Sequence, residues 1–196
     1  LTDEKDLIGL PDYVKEQAAD TAKSKGLKGW LFDLTAPSYI PFMKFSERRD
    51  LREKMYRQYN TRAFGGELDN SQIIKRIAEL RILTARLLGY PNFAEYQTER
   101  RMVKNPYAVN EFLNKLLLPA LPKARQEVEE LNTFAKANGF KEDCLMPWDF
   151  SFYAEKLRLE RYDLSDEQLK PYFQLEHCID AIFDLANKLY GLTFNE

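Results

Sequence analysis

Histidine and cysteine are scarce in this chain of 196 residues, which has one histidine, His177, and two cysteines, Cys144 and Cys178. Each scarcity removes a class of chemistry. A metalloprotease helix of the HExxH type sets two imidazoles on one face with a glutamate that activates water, and one histidine cannot build it. A serine or cysteine triad also needs a histidine base. His177 adjoins Cys178, and neighbouring residues on a helix point about 100° apart, so they face each other poorly. The cysteines lack CxxC spacing and read as two reduced thiols rather than a zinc ribbon or redox pair. His177 itself lies off the apolar stripe of its helix and reads as a solvated first-turn residue.

Glycine is also sparse, at 8 residues, and no GxxxxGK[ST] or GxGxxG turn occurs. The glycines of "FGGELD" lack the flanking strand of a phosphate cradle and read as a connection between helices. Charge of one sign is missing too: 29 basic against 31 acidic residues leave a net charge of −2. No field therefore draws nucleic acid or an anionic membrane surface, and neither is expected as a partner. Apolar stretches such as "FLNKLLLPALP" are far shorter than the roughly 20 residues that span a bilayer.

What the sequence does have is helical periodicity. A first helix opens at Pro11, carries Val14, Ala18 and Ala22 at spacings of four, and ends near Gly26. Trp30 to Leu34 is a short β-like run, and Pro37 and Pro41 are expected to keep the following chain extended. Ser46 is placed as the cap of a helix with the stripe Leu51, Met55, Tyr59 and Ala63, its arginines and glutamates on the solvated side, ended by Gly65 and Gly66. A helix after Asn70 carries Ile73, Ile74, Ile77, Leu80, Thr84, Leu87 and Leu88 and stops at Gly89-Tyr90-Pro91. A short one follows from Asn92 to Val103. Asn105-Pro106 opens a long helical region closing at Asn138-Gly139, which Pro119 and Pro122 are expected to kink or divide. Asp149 to Arg161 is helical, Ser165 to Gln168 fits a capping box, and the last helix runs from Leu175 to Leu189 with Gly191 as its stop. The fold class is mainly α, multi-helix, with one small β element near residues 30–34. Residues 1–45 hold the entry helix, strand and extended segment, and residues 46–196 form a helical scaffold. There is no internal repeat of solenoid period.

Glu127, Glu129 and Glu130 are paired carboxylates of the kind expected on any solvated helix face. The arginine-rich helix after Ser46 interleaves acids with its bases and reads as a salt-bridged surface rather than a nucleic-acid patch. The densest aromatic stretch is "PWDFSFYAEKLRLERYDLSDEQLKPYFQLEH", Pro147 to His177. Helical spacing sets Asp149, Phe152 and Lys156 on one strip and turns Trp148, Phe152 and Tyr153 toward packing against neighbouring helices. On residue chemistry alone no catalytic, cofactor-binding or metal-ligating residue is assigned.

Several phrases taken in order resemble one family. "GLPDYVKEQA", "GWLFDLTAPSYIPFM", "LREKMYRQYNTRA", "IAELRILTARLLGYPNFAEY", "PWDFSFYAEKLRLERYDLSDEQLKPYFQLE" and "LYGLTF" are similar to the M3 zinc oligopeptidases (thimet oligopeptidase-like), nearest to their bacterial peptidyl-dipeptidases. The resemblance implies a large, mostly helical, two-halved enzyme whose deep channel admits short peptides. It also implies one zinc held by HExxH and a glutamate from a following helix, all downstream of the matched region. No catalytic or zinc-binding role therefore transfers to any residue of this chain. The expected function is a non-catalytic scaffold and channel-wall portion of an enzyme that removes dipeptides from the C-terminus of short peptides. Zinc is expected in the longer protein and none in this chain, which alone is expected to be inactive.

Starting at Leu1 rather than Met and stopping at "YGLTFNE", the chain reads as a piece of a longer polypeptide, whose remaining half is its expected partner. A cytoplasmic location is expected, with the envelope or periplasm as the alternative. The alternative is a stand-alone helical binding module. Coding sequence past Glu196 separates the two: an HExxH helix favours the first reading, a prompt stop codon the second.

Overall fold

The computed structural model describes residues 1–163 and 166–194. They fold as helices α1 (Asp12–Ser24), α2 (Ala36–Phe45), α3 (Arg49–Asn60), α4 (Ser71–Leu87), α5 (Phe93–Glu99), α6 (Pro106–Ala137), α7 (Pro147–Tyr162), α8 (Asp166–Leu169) and α9 (Leu175–Tyr190), with short 3-10 turns at Glu4–Leu7 and Lys170–Tyr172. They divide into two compact units, Leu1–Ala154 and Glu155–Glu196, with α7 running through the boundary. Ser165, and with it the capping box of Ser165 to Gln168, lies outside the described residues.

The first unit is centred on Leu7, Leu10, Val14 and Phe42, with Trp30, Phe32, Leu51 and Met55 packed around them. The sequence accounts for α1 directly: Val14, Ala18 and Ala22 all face inward, and Pro11 stands at the N-cap. Tertiary contact then overrides local preference in the next segment. No strand occurs among the described residues, so the β element expected at 30–34 is not formed. A strand needs a neighbour to bond with along its length, and this segment pairs reciprocally with Leu1 at Trp30 alone before turning to other partners. The Trp30 amide donates to the Leu1 carbonyl at 2.9 Å and the Leu31 amide to the Ala18 carbonyl at 3.0 Å. Its large side chains are held by the core instead of by a sheet.

The extended chain expected after Pro37 is also overturned, because residues 36–45 are helical. Pro37 sits in the first turn, where its missing donor costs nothing. Pro41 lies inside the helix, a placement that ordinarily costs about 3 kcal/mol in a helix interior. Burial of Phe42 and Met43, each 3% exposed, supplies the offsetting stabilisation.

Ser46 is not the cap of the next helix but the residue closing α2, and Arg48 occupies the N-cap of α3. The helix ends at Asn60, so Ala63 leaves the stripe for a left-handed turn at φ 57°. The division expected at Pro119 and Pro122 does not occur: α6 is continuous over 32 residues, with both prolines inside it. The cap read at Asn105 is present, its Oδ1 accepting from the Ala108 amide, and Asn92 Oδ1 accepts from the Glu95 amide at the start of α5. Gly191 takes the left-handed conformation that ends α9.

Gly9 is where α1's entry meets the end of α2. Its φ is +86°, and a Cβ there would sit 2.4 Å from the Phe45 carbonyl oxygen. Gly9→Ala is expected to destabilise the protein by about 1–3 kcal/mol, because the left-handed backbone and the close approach both exclude a side chain. Urea denaturation checks this, and an unchanged midpoint would contradict it.

Candidate functional site

Three features of the described residues carry chemistry or shape beyond ordinary packing, and the first is an ion-pair node. Arg49 and Arg52, three residues apart on α3, share one helical face. They converge on Asp149 in the first turn of α7. Arg52 is 2% exposed and Asp149 is 0% exposed. The Arg52 guanidinium donates to Asp149 Oδ1 at 3.0 Å, to the Trp148 carbonyl at 3.1 Å and to the Ser46 carbonyl at 2.7 Å. It also lies 4.0 Å from the centroid of the Phe152 ring. Arg49 donates to both Asp149 oxygens and to both oxygens of Glu142.

Burial pulls the Arg52 guanidinium below its usual range, while its hydrogen bond to Asp149 opposes that shift. Arg49 is held above its ordinary value, first by its hydrogen bond to Asp149. Both stay charged at any pH the protein experiences. The node therefore locks α3 to α7 and offers no group poised to exchange a proton. Trp148, Phe152 and Tyr153 are buried beside it, as their spacing predicts. Charge patterning places Arg52 on the solvated side of α3, whereas the structure buries it against α7. The available signal was the pairing of Arg49 and Arg52 at spacing three, opposite an aspartate inside an aromatic helix.

The second feature is a cavity of about 300 Å³ in the first unit, walled by Trp30, Phe32, Phe42, Leu51 and Met55, with Lys54 and Gln58 of α3 among its lining residues. The third is uncovered apolar surface. On α6 one stripe runs Leu113, Leu117, Leu121, Ala124, Val128, Leu131, Ala135. Its C-terminal end is core, with Leu131 7% and Ala135 0% exposed, whereas Leu113 and Leu117 are both 53% exposed. On α4 the predicted stripe is present but Ala85 is the only buried member of the helix, and Ile74 is 65% and Leu87 87% exposed. In the second unit Leu175, Ile182 and Leu189 of α9 are exposed as well.

The candidate residues read from sequence lie apart on the surface among the described residues. His177 is exposed, as expected, and Cys144 and Cys178 are free thiols. Glu127, Glu129 and Glu130 lie on the exposed face of α6. Among the described residues no group of three or more His, Cys, Asp or Glu side chains is arranged to hold a metal ion. They offer zinc no coordination site. No helix among the described residues is long and apolar enough to cross a membrane.

Comparison with known proteins supplies the context for these features. The chain is 39% identical, over its whole length, to oligopeptidase A of Escherichia coli (strain K12), of which it covers 29%. It is 42% identical over 98% of its length to the probable cytosolic oligopeptidase A of Arabidopsis thaliana, covering 28% of it. Against the dipeptidyl carboxypeptidase of Escherichia coli (strain K12) it is 33% identical over 97% of its length, covering 28%. The chain thus spans less than a third of the curated relatives it matches. The model of Peptidase family M3 matches residues 42–196, from the core residue Phe42 through the ion-pair node to the last helix. With most of its length matched in this way, the chain belongs to peptidase family M3.

Proposed function

We propose that this chain is a non-catalytic scaffold and channel-wall portion of a zinc oligopeptidase that acts on short peptides. The observation that carries the reading is the α6 stripe, which is core at Leu131 and Ala135 and more than half exposed at Leu113 and Leu117. Soluble proteins do not ordinarily leave a continuous leucine row of this kind in water. Relatives more than three times as long contain the polypeptide that would cover it. The remainder of the same polypeptide is therefore its partner, and the zinc ligands and reacting groups belong to that remainder. The stand-alone binding module is the weaker reading, since it leaves those rows uncovered.

Identity to oligopeptidase A exceeds identity to dipeptidyl carboxypeptidase, so we favour internal cleavage of short peptides over stepwise removal of C-terminal dipeptides. The relatives' names point to the cytosol in one case and to chloroplast and mitochondrion in another, and the cytoplasm is our assignment here. The test is mass spectrometry of the products of a ten-residue peptide. The 196-residue chain alone is expected to leave it intact with or without added zinc. The longer polypeptide is expected to yield internal fragments abolished by chelator. Cleavage by the isolated chain would overturn the scaffold reading, and a ladder of dipeptides from the longer one would restore the dipeptidase reading.

A further inference from the structure

Helix α6 changes character along its length. At about 100° per residue, Phe112, Leu116 and Ala120 form a row on the side adjoining the row of Leu113, Leu117 and Leu121. Nearer the C-terminus that adjoining side is carried by Lys123, Glu127 and Glu130 instead, with Lys123 and Glu127 4.0 Å apart as an ion pair. The leucine row alone continues, through Ala124 and Val128 into the core at Leu131 and Ala135. The apolar arc is therefore one row wide around Val128 but about 180° wide around Leu116, where a helix with one covered face needs only about 100°.

We infer that the N-terminal half of α6 is an inner helix of the longer polypeptide, held on two adjoining sides by separate apolar elements of its remainder. Two covered sides go beyond the single covered face proposed above and rest on the same reading of the chain as part of a longer protein. Every residue from 110 to 130 is exposed, so neither side has its cover among the described residues. One helix laid along α6 covers about one row, because packing at about 8–10 Å between axes brings only the facing side chains into contact. Covering Phe112 and Leu116 as well as Leu113 and Leu117 takes a second element. A second copy of this chain fits less well, since a two-fold contact sets one row against itself and leaves the adjoining row in water. The charged continuation at Lys123, Glu127 and Glu130 marks where the second cover ends, because burying those groups against apolar side chains is costly. The leucine row has no such end and runs on into an existing core, so the first cover is continuous with it. Relatives more than three times as long contain polypeptide enough for both.

Single cysteine substitutions in the longer polypeptide test this, with maleimide alkylation of each introduced thiol read by peptide mass mapping and referred to the same protein unfolded in urea. Leu116→Cys and Leu117→Cys, one on each side, are expected to react at least about 100-fold more slowly than in the unfolded chain, independently of protein concentration. Glu127→Cys is expected to react at close to the unfolded rate. A Leu116→Cys protein too unstable to fold would equally support the second cover, since such a change on an exposed side is nearly neutral. A reactive thiol at 116 beside a protected one at 117 overturns the second cover and leaves the proposed function standing. Reaction at both positions overturns the two together. Protection that extends to Glu127→Cys overturns the inference because the cover would not follow the apolar arc, and protection lost on dilution overturns it because the cover would be another copy.

Discussion

Asp149→Ala is expected to cost about 3–5 kcal/mol of folding stability, the range for removing one partner of a buried ion pair. The size of the effect follows from what is left behind. Arg52 stays 2% exposed with its charge intact, held between Ser46, Trp148 and the Phe152 ring, and among the described residues Asp149 is the carboxylate it pairs with. Arg49 keeps Glu142 and is partly solvated, so it contributes less to the loss. Against a typical stability of about 5–15 kcal/mol, such a loss brings the fold close to its limit. Asp149→Asn preserves shape and part of the hydrogen bonding and is expected to fall between the two. In the double variant Arg52→Met, Asp149→Leu the unpaired charge is gone, and much of the stability should return, because a buried pair is often replaceable by apolar groups of similar volume. Urea denaturation of the set decides it. A loss under about 1 kcal/mol for Asp149→Ala would show that water or another group reaches Arg52.

Light scattering on the isolated chain is expected to give masses well above the 23.1 kDa of one copy at moderate concentration. Leu113 and Leu117 project from α6 at more than half exposure, and Ile74 and Leu87 do so from α4. These rows exceed the scattered apolar residues that a soluble surface tolerates. The double variant Leu113→Glu, Leu117→Glu is expected to shift the mass toward a single copy. In the longer polypeptide the same pair should have the opposite effect, a loss of folded protein, because two carboxylates would then be buried without partners. A chain monomeric over a wide concentration range, or a longer polypeptide indifferent to the two glutamates, would contradict the covered-face reading.

How far the fold is legible varies from segment to segment for physical reasons. Helices α1, α4 and α9 have long apolar periodicity and clear end signals, Pro11, Asn70 and Gly191, so local chemistry and tertiary structure agree. The segment from Trp30 to Ser46 is different. Its aromatic and β-branched content, with two prolines, favours extension when taken locally, yet core packing of Phe42 and Met43 pulls it into a helix. Pro119 and Pro122 mislead for a related reason: each removes one amide donor from α6 while the rest of the ladder stays intact around it.

The candidate site divides in the same way. That the aromatics of Pro147 to Tyr153 pack rather than react was readable from their spacing, and the solvated position of His177 from its place off the α9 stripe. The pairing of Arg52 with Asp149 joins residues 97 apart in the chain, and periodicity has no access to such a distance. Charge patterning assigns arginine to solvent because desolvation is costly, and only an acceptor brought in from α7 reverses that.

The sequence by itself determined the helical class and the positions of helices such as α1, α4 and α9, because each depends on residue identity and short spacings, and its phrases taken in order carried the resemblance to the family. Only the tertiary structure decided which charges are buried, which leucines meet a neighbour and where a cavity opens beside Lys54. Those depend on what lies opposite a side chain, which is set by packing between distant segments.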